Sequence, residues 1–167
     1  MSLLDSYAPI VGATTLRMIR RLASGLEGIR LLTINSTRTG GGVAEILQRL
    51  VPLLRELGID AEWEVIEGTS QFFRFTKNLH NALQGLEEEP TPEDFEEYKA
   101  VLQINSERLN FERDVILIHD PQPVGLIAYT RKLCPWVWRC HIDLSRPQRA
   151  GWRFLEPYVE QYDASVF

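Results

Sequence analysis

The sequence predicts an α/β domain: a parallel sheet covered by helices on both faces. Short apolar runs such as RLLTIN (30–35), AEWEVIE (61–67) and DVILIHD (114–120) alternate with stretches of helical periodicity. RLLTIN and DVILIHD are apolar on both faces, as strands buried on both sides of a parallel sheet must be. The 167 residues are the size of one ordinary domain, long enough to bury roughly 70% of the unfolded chain's surface.

In order, GATTLRMIRRLAS (12–24) places Leu16, Ile19 and Leu22 on one face of an amphipathic helix. RLLTIN is the first strand. After Gly40-Gly41-Gly42, the apolar residues Val43, Ile46, Leu47, Leu50, Leu54 and Leu57 keep helical spacing until Gly58 stops them. Pro52 inside that helix predicts a kink. AEWEVIE is the second strand. In SQFFRFTKNLHNALQG (70–85), Phe72, Phe75, Leu79 and Leu83 share a helical face, and Gly85 ends it. LEEEPTP (86–92) reads as an acidic loop.

Thr91 then caps a helix with Pro92 at its first position and Glu93 and Asp94 in its first turn, running through Phe95, Tyr98 and Leu102. DVILIHD is the third strand, PVGLIAYTRKL (123–133) a helix and WVWRCHID (136–143) the fourth strand. A last helix holds Trp152, Leu155, Val159 and Tyr162, and ASVF (164–167) begins a fifth strand. A β-like apolar tetrapeptide is an unusual natural C-terminus, so truncation is expected.

The composition, 44% hydrophobic and 25% charged, is that of a soluble globular protein. A formal charge of −5 argues against nucleic acid or an acidic membrane as partner. Arg17, Arg20 and Arg21 fit a solvated helix face. No apolar run approaches the ~20 residues of a membrane span, and no signal-peptide core opens the chain, so a cytoplasmic location is expected. Cys134 and Cys140, if both extended, lie roughly 20 Å apart at about 3.3 Å per residue, too far for a disulfide. Two cysteines and three histidines make a poor zinc set, and no metal is expected.

In an open α/β sheet, ligands bind beyond the carboxyl ends of the strands. The first strand ends in Asn35-Ser36 and the glycines, the second in Glu67-Gly68. His119-Asp120-Pro121-Gln122 follows the third, and Arg139-Cys140-His141-Ile142-Asp143 closes the fourth. Polar and ionisable residues thus gather at one rim. A glycine turn opening a helix suits a phosphate, but the nucleotide-triphosphate P-loop is absent. The dinucleotide fingerprint is half met, with Gly40-x-Gly42 present and Glu45 at its third glycine position. Glu67 stands where a ribose-binding acid belongs, so a nicotinamide reading stays open, as does a plain tight turn.

His119-Asp120 and His141-x-Asp143 suit hydrogen bonding to several hydroxyls. Trp136 and Trp138 share a strand face and fit the core better than a sugar platform. His80-Asn81 lies off the main apolar face of its helix, with a structural and a ligand role both open. No nucleophile elbow or metal-binding helix motif appears.

NSTRTGGGVAEILQRLVPLLRELGIDAEWEVIEG, FFRFTKNLHNALQG, HDPQP and PWVWRCHIDLSRP together resemble the N-terminal half of trehalose synthases of retaining glycosyltransferase family 4. The resemblance spans residues 30–167; residues 1–29 form a separate N-terminal helical segment. It implies the acceptor-binding half of a two-domain enzyme of the B architecture, two Rossmann-like halves facing across a cleft. The nucleotide-sugar-binding half would be absent and this chain alone inactive.

The implied reaction moves glucose reversibly from a nucleoside-diphosphate glucose to free glucose, giving α,α-trehalose, with no cofactor beyond the donor. The implied partners are glucose, trehalose and nucleoside-diphosphate glucose; oligomeric state is open. By the same resemblance, His141 contacts the donor sugar at the reacting face, and Gly40, Gly41 and Gly42 lie against the donor diphosphate or glucosyl unit. Asp120, Gln122, Arg139 and Asp143 would hold acceptor hydroxyls, with His80 and Asn81 beside them. Retention without a protein nucleophile fits front-face attack, which depends on positioning and stabilisation of the leaving diphosphate. A trehalose phosphorylase fragment, a free-standing sugar- or nucleotide-binding module and a nicotinamide-dependent half-domain are the alternatives.

Overall fold

A computed structural model describes residues 2–87 and 90–167; Glu88 and Glu89 of the expected acidic loop lie outside the described residues. Five strands, β1 (Arg30–Asn35), β2 (Asp60–Val65), β3 (Val115–His119), β4 (Trp136–Arg139) and β5 (Ala164–Val166), form one sheet in the order β2-β1-β3-β4-β5. Every pairing is parallel, with Thr33 of β1 opposite Trp63 of β2 and Leu117 of β3. Five helices accompany them: α1 (Ala8–Ala23), α2 (Gly42–Glu56), α3 (Ser70–Leu83), α4 (Pro92–Arg108) and α5 (Arg149–Val159).

Alternation along β1 splits its side chains between two cores. Leu32 and Ile34 join Ile116, Ile118, Trp136 and Trp138 in the larger core, under residues of α3, α4 and α5. On the opposite face Leu31 packs with Ala61, Leu47 and Val51 beneath α2. Helices therefore cover both faces. Trp136 and Trp138 are buried in the core, 1% and 0% exposed, which closes the sugar-platform reading.

Local chemistry sets the helix starts. Thr91 and Asp94 form a reciprocal capping box before Pro92, and Thr69 Oγ1 accepts the Phe72 N–H (3.0 Å) at the head of α3. Gly85, at φ 93°, follows the end of α3 in the left-handed conformation. The helix α2 runs through Pro52 to Glu56.

Beyond shifts of one or two residues at the ends of β2 and β3, four elements differ from the sequence reading. The N-terminal helix begins at Ala8 and is interrupted at Gly12 (φ 78°, ψ 156°); Leu16 is buried on it but Leu22 is 66% exposed. The stretch 123–133 forms only a 3-10 helix, Val124–Tyr129. There the Tyr98 hydroxyl accepts the Gly125 N–H (3.1 Å) and donates to the Pro121 carbonyl (3.1 Å), drawing the turn onto α4. β4 stops at Arg139, because the His141 N–H bonds to the Asp120 carboxylate (2.8 Å) and the chain leaves the sheet. Finally, α5 ends at Val159, and Tyr162 beyond it donates from its hydroxyl to the Val124 carbonyl (2.6 Å). Both cysteines are free thiols, and burial pushes Cys140 up to about 11.

The turn after β3 has no room to spare. A Cβ on Gly125 would stand 2.7 Å from Leu102 Cδ1 and 2.9 Å from Tyr98 Cε1. Gly125→Ala should therefore cost about 1–3 kcal/mol of stability through overpacking. A urea midpoint equal to that of the unsubstituted chain would mean the turn can move aside.

Candidate functional site

The connections from β1 to β2 and from β3 to β4 run to opposite sides of the sheet, so the strand order switches between β1 and β3. At such a switch point the loops diverge and leave a crevice beyond the strand ends. A pocket of about 440 Å³ lies there, between the loop after β1, the loops after β3 and β4, and the end of α3.

The loop after β1 is anchored on one flank. Asn35, buried at the strand end, donates from Nδ2 to the Thr37 carbonyl (2.8 Å) and accepts the Trp63 indole N–H (2.7 Å). The Arg38 guanidinium lies over the Trp63 ring, 4.7 Å from its centroid, and bonds to the Trp63 carbonyl. Gly40 (φ 74°) and Gly41 (φ 89°) then take conformations that side chains rarely adopt. Gly42 opens α2, and no side chain caps that helix, so its first-turn N–H groups are left at the pocket wall. An uncapped helix start with a glycine approach suits an anion.

The opposite wall carries the ionisable groups. His119, 2% exposed at the end of β3, places Nε2 2.7 Å from Thr33 Oγ1 and Nδ1 2.8 Å from His141 Nε2. The two imidazoles lie nearly parallel, at 17°. Burial pushes His119 down to about 3, with the His141 and Arg139 charges acting in the same direction. Burial also lowers His141, against the pull of Asp120. Asp120 is raised, chiefly by burial, despite the His141 N–H bonded to its carboxylate. At neutral pH the wall therefore carries two neutral imidazoles beside Asp120.

Asp120 sits at φ 63°, held by its N–H to the Arg139 carbonyl (2.9 Å) and by the Trp138 indole N–H donating to its own carbonyl (3.1 Å). Gln122 Oε1 is buried in the lining with no partner among the described residues, an acceptor waiting for a donor.

Of the residues singled out from sequence, Gly40, Gly41, Gly42, His80, Asp120, Gln122 and His141 line this one pocket. Arg139, half-buried at the end of β4, lies outside the lining but close enough for its charge to act on His119, His141 and Asp120. Asn81 is next to His80 but off the lining, its carbonyl accepting from Gln84 (3.0 Å) and Leu86 (3.1 Å). Asp143 is exposed and turned to its own loop, where its carboxylate accepts the Ser145 N–H (2.8 Å), which holds it below the usual carboxylate range. Asn35, read from sequence only as a polar strand end at the rim, and Thr33, which sequence reasoning does not single out, belong to the site. Their signal is a polar residue twice within a strand otherwise built for burial.

Fold and site together define a Rossmann-like domain of the kind that forms the N-terminal half of B-type glycosyltransferases. A family profile described as "Trehalose synthase, N-terminal domain" matches residues 33–167, and the chain belongs to that family. A trehalose synthase of Thermococcus litoralis is 48% identical over 166 residues, 98% of this chain and 40% of that protein. A trehalose phosphorylase of Pleurotus pulmonarius is 33% identical over 98% of this chain and 25% of its own length. The chain thus spans well under half of these curated relatives. The crystal structure of an α,α-trehalose-phosphate synthase (UDP-forming) from Burkholderia vietnamiensis superposes with a TM-score of 0.53 at 14% identity, covering 83% of this chain and 40% of that one, a likeness of fold.

Proposed function

We propose that this chain is the acceptor-side half of a retaining hexosyltransferase that makes α,α-trehalose from a nucleoside-diphosphate glucose and glucose, reversibly. The observation that carries the reading is the division of the pocket into two chemistries. One wall is an uncapped helix start with glycines at Gly40–Gly42, fit for a diphosphate or the glucosyl unit attached to it. The other is His141, Asp120 and Gln122, a set of donors and acceptors fit for sugar hydroxyls.

In the transfer, the bond from glucosyl C1 to the diphosphate oxygen breaks and a bond from C1 to the acceptor's anomeric oxygen forms. The acceptor proton passes to the departing phosphate oxygen. The protein's part is to position the two sugars and stabilise the leaving charge. The relatives favour a synthase over a phosphorylase, since the synthase is the more similar by 48% to 33%. Donor-phosphate stabilisation belongs mainly to the other half of such an enzyme, so this chain alone should give no turnover.

Calorimetric titration of the chain with glucose, trehalose, nucleoside-diphosphate glucose, inorganic phosphate and NAD tests the reading. Glucose should bind with a Kd on the order of millimolar, about −4 kcal/mol. Binding of NAD without glucose would transfer the site to the nicotinamide reading, and trehalose formation by the chain alone would end the division of labour.

A further inference from the structure

We propose that His119 is a positioning residue that, through Thr33, fixes His141 as its Nδ1–H tautomer, so that His141 meets its ligand as a hydrogen-bond donor. The tautomer assignment stands on geometry alone; only the ligand's being a sugar rests on the proposed function.

The contact between His119 Nδ1 and His141 Nε2, 2.8 Å, can hold only one proton, carried by one nitrogen or the other. Its placement decides the rest of the chain to Thr33. If His141 Nε2 carries it, His119 must hold its own proton on Nε2 and donate to Thr33 Oγ1, 2.7 Å away. The Thr33 hydroxyl, 1% exposed, then has a proton to donate and no other partner among the described residues. A buried donor without an acceptor is the costly outcome.

In the other arrangement every buried proton is used. The Thr33 hydroxyl donates to His119 Nε2, and His119 Nδ1–H donates to His141 Nε2. His141 then carries its proton on Nδ1. That atom has no partner among the described residues and is not among their buried, unpartnered polar atoms, so it keeps its access from the pocket that His141 lines. Burial of both rings maintains the neutral state on which the argument depends.

Two consequences bear on the ligand. His141 offers a donor where Gln122 Oε1, buried in the same lining, offers an unpaired acceptor. A hydroxyl both donates and accepts, so the pair suits vicinal hydroxyls, whereas a bare anion would meet Gln122 Oε1 as repulsion. And His141 is unsuited to take a proton from the acceptor: its basic nitrogen, Nε2, is the one turned inward onto His119.

The test is nitrogen-15 NMR of the imidazoles in the ¹⁵N-histidine-labelled chain at neutral pH, where two-bond couplings identify the protonated nitrogen. His141 should show a protonated Nδ1 and a bare Nε2. In Thr33→Val the penalty that chose between the two arrangements is gone, since His119 Nε2 lacks that partner in either, so His141 should become a mixture of its two tautomers and its two nitrogen resonances should move toward each other; Thr33→Ser should restore the original pattern. A protonated Nε2 on His141 in the unsubstituted chain overturns the proposal, whether or not the valine variant folds. So does a His141 pattern that is unmoved in a folded Thr33→Val. Adding glucose separates the two claims. A shift of His141 Nδ1 supports the donor role toward a sugar. No shift, with the tautomer as assigned, leaves the positioning by His119 in place and counts against the proposed function.

Discussion

In Gly42→Val the chain keeps its fold and the pocket loses its phosphate-side ligand. Backbone conformation separates this position from its neighbours. Gly40 and Gly41 have positive φ, 74° and 89°, so any side chain there is strained whatever space surrounds it, at about 1–3 kcal/mol. Gly42 is free of that constraint, being the first residue of α2, and a Cβ built on it meets nothing within 4 Å. Its lack of a side chain is thus not required by the protein's own packing. What remains is the space itself, at the mouth of the helix start.

Stability should be unchanged or slightly raised, since glycine in a helix costs roughly 0.5–1 kcal/mol against alanine. In the two-domain enzyme that the proposed function requires, both transfer to glucose and hydrolysis of the donor in water should fall at least about tenfold, 1.4 kcal/mol or more of transition-state stabilisation. Thermal unfolding and the two rate assays, run on one preparation, make the comparison. Wild-type rates in a stably folded Gly42→Val would reduce the three glycines to a tight turn.

The parts of the fold legible in the sequence are those set by neighbours along the chain. The bounds of β1 and the capping box around Pro92 depend on a short run apolar on both faces and on a side chain reaching three residues ahead, and both read correctly. Two of the errors come from contacts across the fold. WVWRCHID is written like a strand to its end, but the Asp120 carboxylate takes the His141 N–H from 21 residues away and bends the chain off the sheet. PVGLIAYTRKL has helical composition, yet Tyr98 on α4 holds its backbone in a tighter turn.

The site divides the same way. That the rim residues gather follows from the sheet's topology, which the strand-helix alternation predicts. Which of them face the pocket does not. Asp143 stands two residues from His141 in sequence, but a bond to the Ser145 N–H, again two residues on, turns its carboxylate into its own loop. The joining of His119 to His141 depends on the ring orientations of a strand end and a separate loop, and no spacing in the sequence encodes it.

Asp120→Ala should be the most destabilising change in the pocket, and a comparison of three variants shows why. Two of the hydrogen bonds at Asp120 are made by its backbone and survive substitution: its N–H to the Arg139 carbonyl and its carbonyl from the Trp138 indole. The third, from the His141 N–H to Oδ1 at 2.8 Å, is lost in alanine. An unpaired N–H costs about 1–3 kcal/mol, and holding alanine at the observed φ of 63° adds roughly 1–2 kcal/mol. Asp120→Gly loses the same acceptor but adopts the left-handed conformation without strain, so the alanine-minus-glycine difference should be about 1–2 kcal/mol. Asp120→Asn keeps an acceptor oxygen and tolerates the left-handed conformation, and should stay closest to the unsubstituted chain.

The asparagine comparison also has a pH signature. Burial raises Asp120 above 3.8, so between 3.8 and that raised value the folded chain holds a proton that the unfolded chain has released. Stability from this group is present below 3.8 and declines as pH rises through the window. An amide side chain does not titrate, so Asp120→Asn should gain on the unsubstituted chain across the window and hold a constant difference above it. Urea midpoints at a series of pH values read both comparisons. Equal stabilities of the alanine and glycine variants would remove the left-handed strain, and a gain by the asparagine variant as pH falls would reverse the sign of the buried carboxylate.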